Sequence, residues 1–292
     1  MPLLTPTTVR ALLAEHDLHP RRALGQHFLA DPNTARRIVR LAGIDEGDHV
    51  LEIGPGLGSL TLALADAGAS VVALELDPRL AAVLRATLAE AGVDGGADRV
   101  RVEVGDALEA DLAGLVDSAS DQRAREEWHS VSNLPYNVAT PVVVRLLEEV
   151  PRVAFLMVMV QREVGERLAA GPGSAAYGAV SVKVAYFAEA EVAGTVPPTV
   201  FVPQPKVESV LVRMTRRPAP PVEVPSPARL FALVRAGFAQ RRKMLRRSLR
   251  PELGEHVTDV LTVAGIDPAT RAEALSLPDW AAVARAEEAV AA

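Results

Sequence analysis

Short apolar runs and longer amphipathic stretches alternate along most of the chain. Apolar runs bounded by Gly, Asp or Pro are typical of buried strands, whereas apolar residues spaced three and four apart are typical of helices. Strands are predicted over residues 50–53, 70–74, 99–104, 128–131, 153–160, 179–188 and 209–214. Helices are predicted over residues 7–15, 33–42, 59–67, 78–91 and 141–149. This alternation predicts an α/β domain with a seven-stranded sheet.

The C-terminal part of the chain has a different pattern. Residues 215–226 are rich in proline, which predicts a linker. Beyond it the apolar spacing predicts helices alone, over residues 228–239, 241–250, 251–264 and 277–291. A chain of 292 residues is long enough for two domains. We therefore predict an α/β domain over residues 1–215 and a small all-α domain over residues 216–292.

The composition is that of a globular protein with a buried core. Hydrophobic residues make up 49% of the chain, and no apolar run approaches the roughly 18 residues that a membrane helix needs. The absence of cysteine excludes disulfides, thiolate metal sites and cysteine nucleophiles. We predict no metal site. The N-terminus lacks the basic and apolar pattern of a signal peptide, which predicts a cytoplasmic protein.

Charge is distributed unevenly along the chain. The net charge of −6 argues at first against a nucleic-acid partner. Residues 203–250, however, contain twelve Lys or Arg and two Glu, a local balance of +10 that leaves −16 for the rest. A basic segment in an acidic protein favours a surface for a phosphate backbone over one that only improves solubility. The cations of this candidate surface are Lys206, Arg241, Arg242, Lys243, Arg246 and Arg247.

A glycine-rich loop follows the first strand of the predicted sheet. It reads Glu52-x-Gly54-x-Gly56-x-Gly58, and the next strand ends at Glu75, 21 positions after Gly54. Glycines let the backbone approach a ligand, and an acid at the end of the second strand can receive ribose hydroxyls. The spacing differs from the Gly-x-Gly-x-x-Gly of NAD-binding loops and is similar to the S-adenosylmethionine loop of class I methyltransferases. The alternative is a stiff, glycine-rich turn without a ligand.

Asp106 follows the third predicted strand. An aspartate at the carboxyl end of a parallel strand could accept a hydrogen bond from the N6 amine of an adenine. The same residue could equally well be the N-cap of the following helix. The local sequence leaves both interpretations open.

The fourth predicted strand ends in Asn133-Leu134-Pro135-Tyr136. Pro135 fixes its own φ and pushes Leu134 towards an extended conformation, which holds the Leu134 carbonyl in place. Asn133 Oδ1 and this carbonyl are two acceptors beside an aromatic ring, a combination that suits a flat heterocycle with an exocyclic amine. The alternative is an Asx turn at the end of a strand. A methyl-donor site next to the segment favours the first interpretation.

The segment at residues 201–209 precedes the last predicted strand and begins with Phe201. It combines a projecting aromatic ring, two prolines that stiffen the loop, and Lys206. A single loop phenylalanine is more often a hydrophobic plug than a stacking surface. Beside Asn133 and Tyr136 the stacking role is favoured, because a flipped base needs a ring on its face.

Five motifs occur in a fixed order, and together they are specific. They are LGQHFL at residues 24–29, EIGPGLG at 52–58, NLPY at 133–136, FVPQPKVES at 201–209 and FAQRRK at 238–243. In these motifs the chain resembles, over nearly its whole length, the bacterial small-subunit rRNA adenine-N6 dimethyltransferases of the KsgA/RsmA family. The resemblance implies a class I, Rossmann-like methyltransferase domain with a small helical C-terminal domain.

The resemblance also implies a function. Such an enzyme transfers four methyl groups from S-adenosylmethionine to two adjacent adenines in the 3′-terminal hairpin loop of 16S rRNA. Its substrate is the immature small ribosomal subunit, and it acts as a cytoplasmic monomer in small-subunit biogenesis. The basic residues named above then form an RNA-binding surface.

Site residues are implied at the matching positions. Histidine at position 27 departs from one common form of the motif, which has asparagine there, but it can still donate a hydrogen bond. The implied donor-binding residues are His27, Leu29, Gly54, Gly56, Glu75, Asp106 and Asn133. The residues implied to hold the target base and promote transfer are Asn133, Leu134, Tyr136 and Phe201.

Two alternatives share parts of this pattern. A large-subunit rRNA dimethylase of the antibiotic-resistance type shares the fold and the catalytic motif, but the basic C-terminal helices and residues 201–209 favour the small-subunit enzyme. A ribosome-assembly or transcription factor could keep the fold without catalysis. Intact Gly54, Glu75, Asp106 and Asn133 argue against it, because a lapsed site should have changed at one or more of them.

Overall fold

The predicted alternation of strands and helices is present in a computed structural model of the chain. The described residues are 3–21, 25–93, 99–119 and 127–291. The strands are β1 (Phe28–Leu29), β2 (His49–Ile53), β3 (Ser70–Glu75), β4 (Val100–Val104), β5 (Trp128–Asn133), β6 (Val153–Gln161), β7 (Ala188–Val196), β8 (Phe201–Val202) and β9 (Ser209–Arg216). The α-helices are α1 (Pro6–Glu15), α2 (Pro32–Ala42), α3 (Ser59–Asp66), α4 (Pro78–Glu90), α5 (Leu112–Ala119), α6 (Ala139–Glu149), α7 (Arg162–Leu168), α8 (Ala179–Phe187), α9 (Pro227–Ala239), α10 (Leu245–Ser248), α11 (Arg250–Leu253), α12 (Val257–Val263) and α13 (Leu277–Ala291).

Seven strands form the main sheet, in the order β4-β3-β2-β5-β6-β9-β7. The strands from β4 to β6 run parallel to their neighbours, and β9 is antiparallel to β6. This sheet, with helices connecting its parallel strands, confirms the predicted Rossmann-like α/β class. Parallel strands place their carboxyl ends at one edge of a sheet, where ligands bind in folds of this kind. The loops after β2, β3, β4 and β5 therefore meet at one edge.

Local capping signals explain where several helices begin and end. Asp31 accepts hydrogen bonds from the N–H groups of Asn33 at 3.1 Å and Thr34 at 3.3 Å, and Pro32 begins α2. Gly43 ends this helix in the left-handed conformation, with φ of 66°. Asp77 caps α4 by accepting a hydrogen bond from the Arg79 N–H at 2.9 Å. Because these signals depend on adjacent residues, the sequence alone predicts the positions of both helices.

The strand predicted over residues 179–188 is wrong, because this segment forms α8. Alternating valines at 180, 182 and 184 fit a strand, but Val182 and Tyr186 pack into a helical core that includes Phe231. Tertiary packing thus overrides the β propensity of valine. The seventh strand of the sheet is instead β7, which follows α8 directly.

Contacts divide the chain into two compact units, and the division differs from the predicted boundary after residue 215. The first unit comprises Met1–Gly165 and Ala190–Arg216, and the second comprises Glu166–Glu189 and Arg217–Ala292. Residues 166–189 belong to the second unit because α8 packs against α9 and α13. The helix predicted over residues 241–250 is a turn followed by α10, and α11 begins at Arg250.

A two-stranded sheet joins β1 to β8 within the first unit. The strands are antiparallel, with Phe28 opposite Val202 and Leu29 opposite Phe201. This pairing brings the LGQHFL and FVPQPKVES motifs together, although Leu24 of the first motif lies outside the described residues. Among the helices of the described ranges, none has both the length and the apolar character needed to cross a membrane.

Candidate active site

A cavity of about 270 Å³ lies in the first unit at the carboxyl ends of β2, β3, β4 and β5. Its walls come from the loops that follow these strands and from the segment around β1. The predicted site residues that line it are His27, Leu29, Gly54, Gly56, Glu75, Asp106, Asn133, Leu134 and Tyr136. The structure therefore brings together every predicted donor-binding residue and all but one of the predicted target-base residues.

The glycine loop between β2 and α3 requires glycine at several positions. Gly54, Gly56 and Gly58 have φ angles of 70°, 58° and 95°, a region that residues with a Cβ rarely adopt. A Cβ on Gly56 would lie 3.0 Å from the Phe28 ring, and a Cβ on Gly54 would lie 3.2 Å from Pro135 Cδ. The loop is therefore packed directly against β1 and against the NLPY segment, which places the predicted donor-binding and target-base residues side by side.

Glu75 ends β3 and is fixed by backbone donors. Its Oε2 accepts a hydrogen bond from the Gly56 N–H at 2.9 Å, and its Oε1 accepts one from the Asp77 N–H at 3.0 Å. Burial raises the pKa of the Glu75 carboxyl, while these N–H donors oppose the rise. A carboxylate oxygen can accept more than one hydrogen bond. Glu75 thus holds the glycine loop and keeps acceptor capacity for a ligand hydroxyl.

Glu52 begins the glycine-loop motif and lines the cavity, but it is not among the predicted site residues. It is buried and accepts a hydrogen bond from Thr61 Oγ1 at 2.7 Å. Burial raises the pKa of Glu52 to about 8, and the nearby Glu75 adds to the effect. The available signal was a glutamate inside a buried apolar strand, since such positions rarely carry a charged side chain.

The N-cap interpretation of Asp106 is wrong, because the next helix, α5, begins only at Leu112, and the ligand-binding interpretation stays a prediction. Asp106 Oδ1 accepts a hydrogen bond from the Leu108 N–H at 2.8 Å, which is a turn-capping contact, and the residue also lines the cavity. Leu76, directly after Glu75, lines the cavity with 49% of its surface exposed. An exposed leucine beside a polar strand end is an apolar surface for a flat ring. Sequence reasoning missed it because leucine is common in cores.

Asn133 has a defined amide orientation. Its Nδ2 donates a hydrogen bond to the backbone carbonyl of His27 at 3.2 Å. Because a carbonyl oxygen only accepts, the NH2 group must face His27, which directs Oδ1 away from it. Over the described residues, Oδ1 accepts no hydrogen bond. An Asx turn would direct the side chain to its own turn, so this geometry favours the ligand-binding interpretation.

Leu134 and Tyr136 contribute different groups. The Leu134 side chain is buried, and its N–H donates to the Met159 carbonyl at 3.1 Å, which fixes the peptide. The hydroxyl of Tyr136 lies 2.8 Å from Ser209 Oγ, and burial raises the pKa of Tyr136. The Tyr136 and His27 ring centroids are 5.2 Å apart, with an interplanar angle of 31°. These contacts hold the Tyr136 ring at the cavity wall.

Phe201 is the predicted base-stacking residue that the structure places elsewhere. It is only 3% exposed and belongs to the core of the first unit. It is not a lining residue of the cavity. In β8 it lies opposite Leu29, which belongs to the same core, and this position accounts for the burial. A stacking role for Phe201 stays a prediction.

The predicted cations differ in how they are held. Arg241 pairs with Glu273 at 3.0 Å and donates to the Ala175 carbonyl at 2.7 Å, so its guanidinium already has partners within the second unit. Other cations of residues 203–250 form internal ion pairs or hydrogen bonds: Arg213, Arg216, Arg217, Arg229 and Arg250. Throughout the described ranges, no ion pair involves the exposed side chains of Lys206, Arg242, Lys243, Arg246 or Arg247.

Comparison with known proteins extends over most of the chain. A family model described as ribosomal RNA adenine dimethylase matches residues 18–287. The protein named ribosomal RNA small subunit methyltransferase A of Thermobifida fusca is 47% identical over 284 residues, which cover 97% of this chain and 95% of the relative. The protein of the same name from Cutibacterium acnes is 45% identical over 290 residues, covering 97% and 94%.

One solved structure adds a further similarity. The crystal structure of the 23S rRNA methyltransferase ErmE aligns with a TM-score of 0.64 at 26% identity. The alignment covers 89% of this chain and 99% of ErmE. The similarity therefore includes residues of both units.

Proposed function

Because the chain belongs to the ribosomal RNA adenine dimethylase family, we propose that it dimethylates the N6 amines of two adjacent adenines in the 3′-terminal hairpin loop of 16S rRNA. It is an S-adenosylmethionine-dependent rRNA methyltransferase. In this proposal it acts as a monomer on the immature small subunit, in the cytoplasm. The observation that carries the proposal is the pair of acceptors at Asn133 and Leu134, which line the same cavity as the glycine loop.

The donor side of the cavity fits S-adenosylmethionine. When bound, this molecule supplies a methyl group on an electrophilic sulfonium centre. Glu75 would receive the ribose hydroxyls, and Leu76 offers an apolar surface for the adenine ring. Over the described residues Asp106 uses one carboxylate oxygen for its turn, which leaves the other for the adenine N6 amine. Leu29, Gly54 and Gly56 would contact the remainder of the donor.

The target-base side fits the chemistry of an aromatic amine. The N6 lone pair of adenine is delocalised into the ring, which makes the amine a poor nucleophile. Hydrogen bonds to Asn133 Oδ1 and the Leu134 carbonyl would pull the amine towards tetrahedral geometry and direct the lone pair at the methyl group. Catalysis then depends on positioning and electrostatics. No strong base is required, because the methylated ammonium is acidic enough to lose its proton to water.

RNA binding is proposed for those cations of the predicted surface that are exposed and have no internal partner in the described chain. These are Lys206 in the first unit and Arg242, Lys243, Arg246 and Arg247 in the second. Arginine and lysine at such positions neutralise phosphates and release counterions. Arg241 is a weaker candidate, because its guanidinium already pairs with Glu273.

The large-subunit alternative has one observation in its favour, the similarity to ErmE. That similarity has 26% identity, whereas the two small-subunit relatives are 45% and 47% identical. The assembly-factor alternative predicts a damaged site. Glu75, Asp106 and Asn133 instead line one cavity with the glycine loop, which supports an active enzyme.

The test is methyl incorporation from labelled S-adenosylmethionine. Undermethylated small subunits and large subunits are offered separately, and the labelled RNA is digested to nucleosides. We expect N6,N6-dimethyladenosine from the small subunit alone. Label in the large subunit would instead assign the protein to the antibiotic-resistance type of rRNA dimethylase. Binding to a subunit without incorporation of label in either one would support the assembly-factor alternative.

A further inference from the structure

His27 contacts three parts of the target-base side of the cavity. Its Nδ1 lies 2.7 Å from the carbonyl oxygen of Pro203. Its ring lies against Tyr136, with centroids 5.2 Å apart. Its backbone carbonyl accepts the hydrogen bond from Asn133 Nδ2 at 3.2 Å. One residue thus contacts the proposed amine acceptor, the aromatic wall and the segment that follows β8.

The polarity of these bonds is determined by chemistry. The Pro203 carbonyl can only accept, so Nδ1 of His27 carries the proton in this bond. The carbonyl of His27 can also only accept, which turns the Oδ1 of Asn133 away from it. The position of residue 27 therefore determines which amide atom of Asn133 is available to a substrate amine.

Neighbouring contacts fix His27 in this position. The adjacent residue Phe28 pairs with Val202 across the β1–β8 sheet, and the Ala30 N–H donates to the Val200 carbonyl at 2.8 Å. These bonds hold the backbone of residue 27 beside Pro203. The side chain then adds the bond to Pro203 and the contact with Tyr136.

We propose that His27 is a positioning residue for the target adenine: its backbone carbonyl orients Asn133, and its side chain holds Tyr136 and the Pro203 segment in the arrangement that methyl transfer requires. This inference rests on the proposed function. It assigns the His27 side chain chiefly to the target-base side, although the residue also lines the cavity where the donor is proposed to bind. The consequence is that changing this side chain reduces transfer far more than donor affinity.

Three variants separate the parts of this role. His27→Asn keeps an N–H donor, because Asn Nδ2 lies as many bonds from Cβ as His Nδ1 does, but it removes the ring. His27→Phe keeps a ring and removes the donor, and His27→Ala removes both. For each variant, kcat and KM are measured with undermethylated small subunits. The Kd of S-adenosylhomocysteine is measured by calorimetry, and the melting temperature shows that the variant is folded.

We expect His27→Ala to lower kcat about 10- to 100-fold, because a small misplacement of reacting groups has effects of this size. The Kd of S-adenosylhomocysteine should change by less than about twofold, since the other residues proposed to bind the donor are unchanged. His27→Asn and His27→Phe should each restore part of kcat. This partial rescue is not expected of a residue that only contributes stability.

Two results would overturn the inference. One is a kcat for His27→Ala within about twofold of wild type, and the other is a loss of S-adenosylhomocysteine affinity that accounts for the whole defect. If His27→Ala does not fold, the same two criteria, kcat and the Kd of S-adenosylhomocysteine, are applied to His27→Asn and His27→Phe. A wild-type protein that methylates no small subunit would instead contradict the proposed function, so the two failures are distinguishable.

Discussion

The two sides of the cavity, proposed to bind the donor and the target base, differ in the hydrogen bonds that hold them. The bonds on the donor side join residues closer together in the chain than the bonds on the target-base side do. On the donor side, Gly56 and Glu75 form a hydrogen bond across 19 positions of the chain. On the target-base side, His27 bonds to Pro203 across 176 positions and to Asn133 across 106. Short-range bonds can form within one strand-helix-strand unit, whereas long-range bonds require most of the first unit to be folded.

This difference predicts how substitutions divide their effects. Changes on the target-base side should lower methyl transfer and leave donor binding intact, because the contacts there are proposed to act on the amine. Changes on the donor side should alter stability and donor binding together, since the same backbone forms the loop and its ligand surface.

Asn133→Ala should have the largest effect on catalysis. It removes one of the two proposed acceptors of the amine, and loss of one such preorganised group typically lowers kcat about 100- to 1,000-fold. Binding of S-adenosylhomocysteine should persist. Single-turnover transfer and calorimetry measure the two quantities, with the exposed Asn33→Ala as a matched control. An equal loss of transfer and binding would make Asn133 a structural residue.

Glu52→Gln should change the pH dependence of stability. The pKa of Glu52 is about 8 in the folded protein against an ordinary value of 4.5. As pH rises between these values the unfolded chain loses the proton and the folded protein keeps it, so the free energy of unfolding falls. One pKa unit corresponds to about 1.4 kcal/mol, and local relaxation reduces the total. We expect the variant to be more stable by about 2–3 kcal/mol at about pH 9 and little changed at about pH 4.

Urea unfolding across this pH range measures the effect of Glu52→Gln. Gln can still accept the hydrogen bond from Thr61. The exposed Glu90→Gln is the control, because it removes one carboxylate without changing a buried site. If the free energy of unfolding depends on pH in the same way for wild type and Glu52→Gln, ionisation of Glu52 does not destabilise the folded protein, and the prediction is wrong.

Gly54→Ala should destabilise the loop and weaken donor binding. The φ of 70° at Gly54 costs a residue with a Cβ about 1–2 kcal/mol, and the added Cβ would lie 3.2 Å from Pro135. Gly171→Ala is the matched control, since a Cβ there has nothing within 4 Å. Chemical denaturation and calorimetry with S-adenosylhomocysteine provide the measurements. Equal stabilities of the two variants would contradict the argument.

Replacing single cations by alanine should have the smallest effects. Each of Arg242, Lys243, Arg246 and Arg247 that contacts a phosphate should lower the slope of log affinity against log salt by about 0.7–0.9. The measurement is binding to small subunits over a range of salt concentrations. Arg250→Ala, whose side chain pairs with Glu255, is the control of equal charge. An unchanged slope in all four variants would remove this surface from the RNA interface.

Much of the donor side could be predicted from the sequence. The glycine spacing, the acid at position 75 and the caps of α2 and α4 are signals between residues near each other in the chain. The raised pKa of Glu52 could not be predicted, because it depends on how completely the surrounding side chains exclude water. The strand predicted at residues 179–188 was wrong for a similar reason. Its valines fit either element until Tyr186 packs against Phe231, with ring centroids 5.3 Å apart.

The amino-acid sequence was enough to predict the α/β class, the glycine loop proposed to bind the methyl donor and the motif proposed to offer two acceptors to an amine. These properties depend on residue type and short spacing, which a linear pattern records. The amide orientation of Asn133, the burial of Phe201 and the pairing of Arg241 become visible only in the folded protein. Each of these depends on partners far away in the chain, and no local pattern specifies which distant residue will supply the hydrogen bond, the covering strand or the opposite charge.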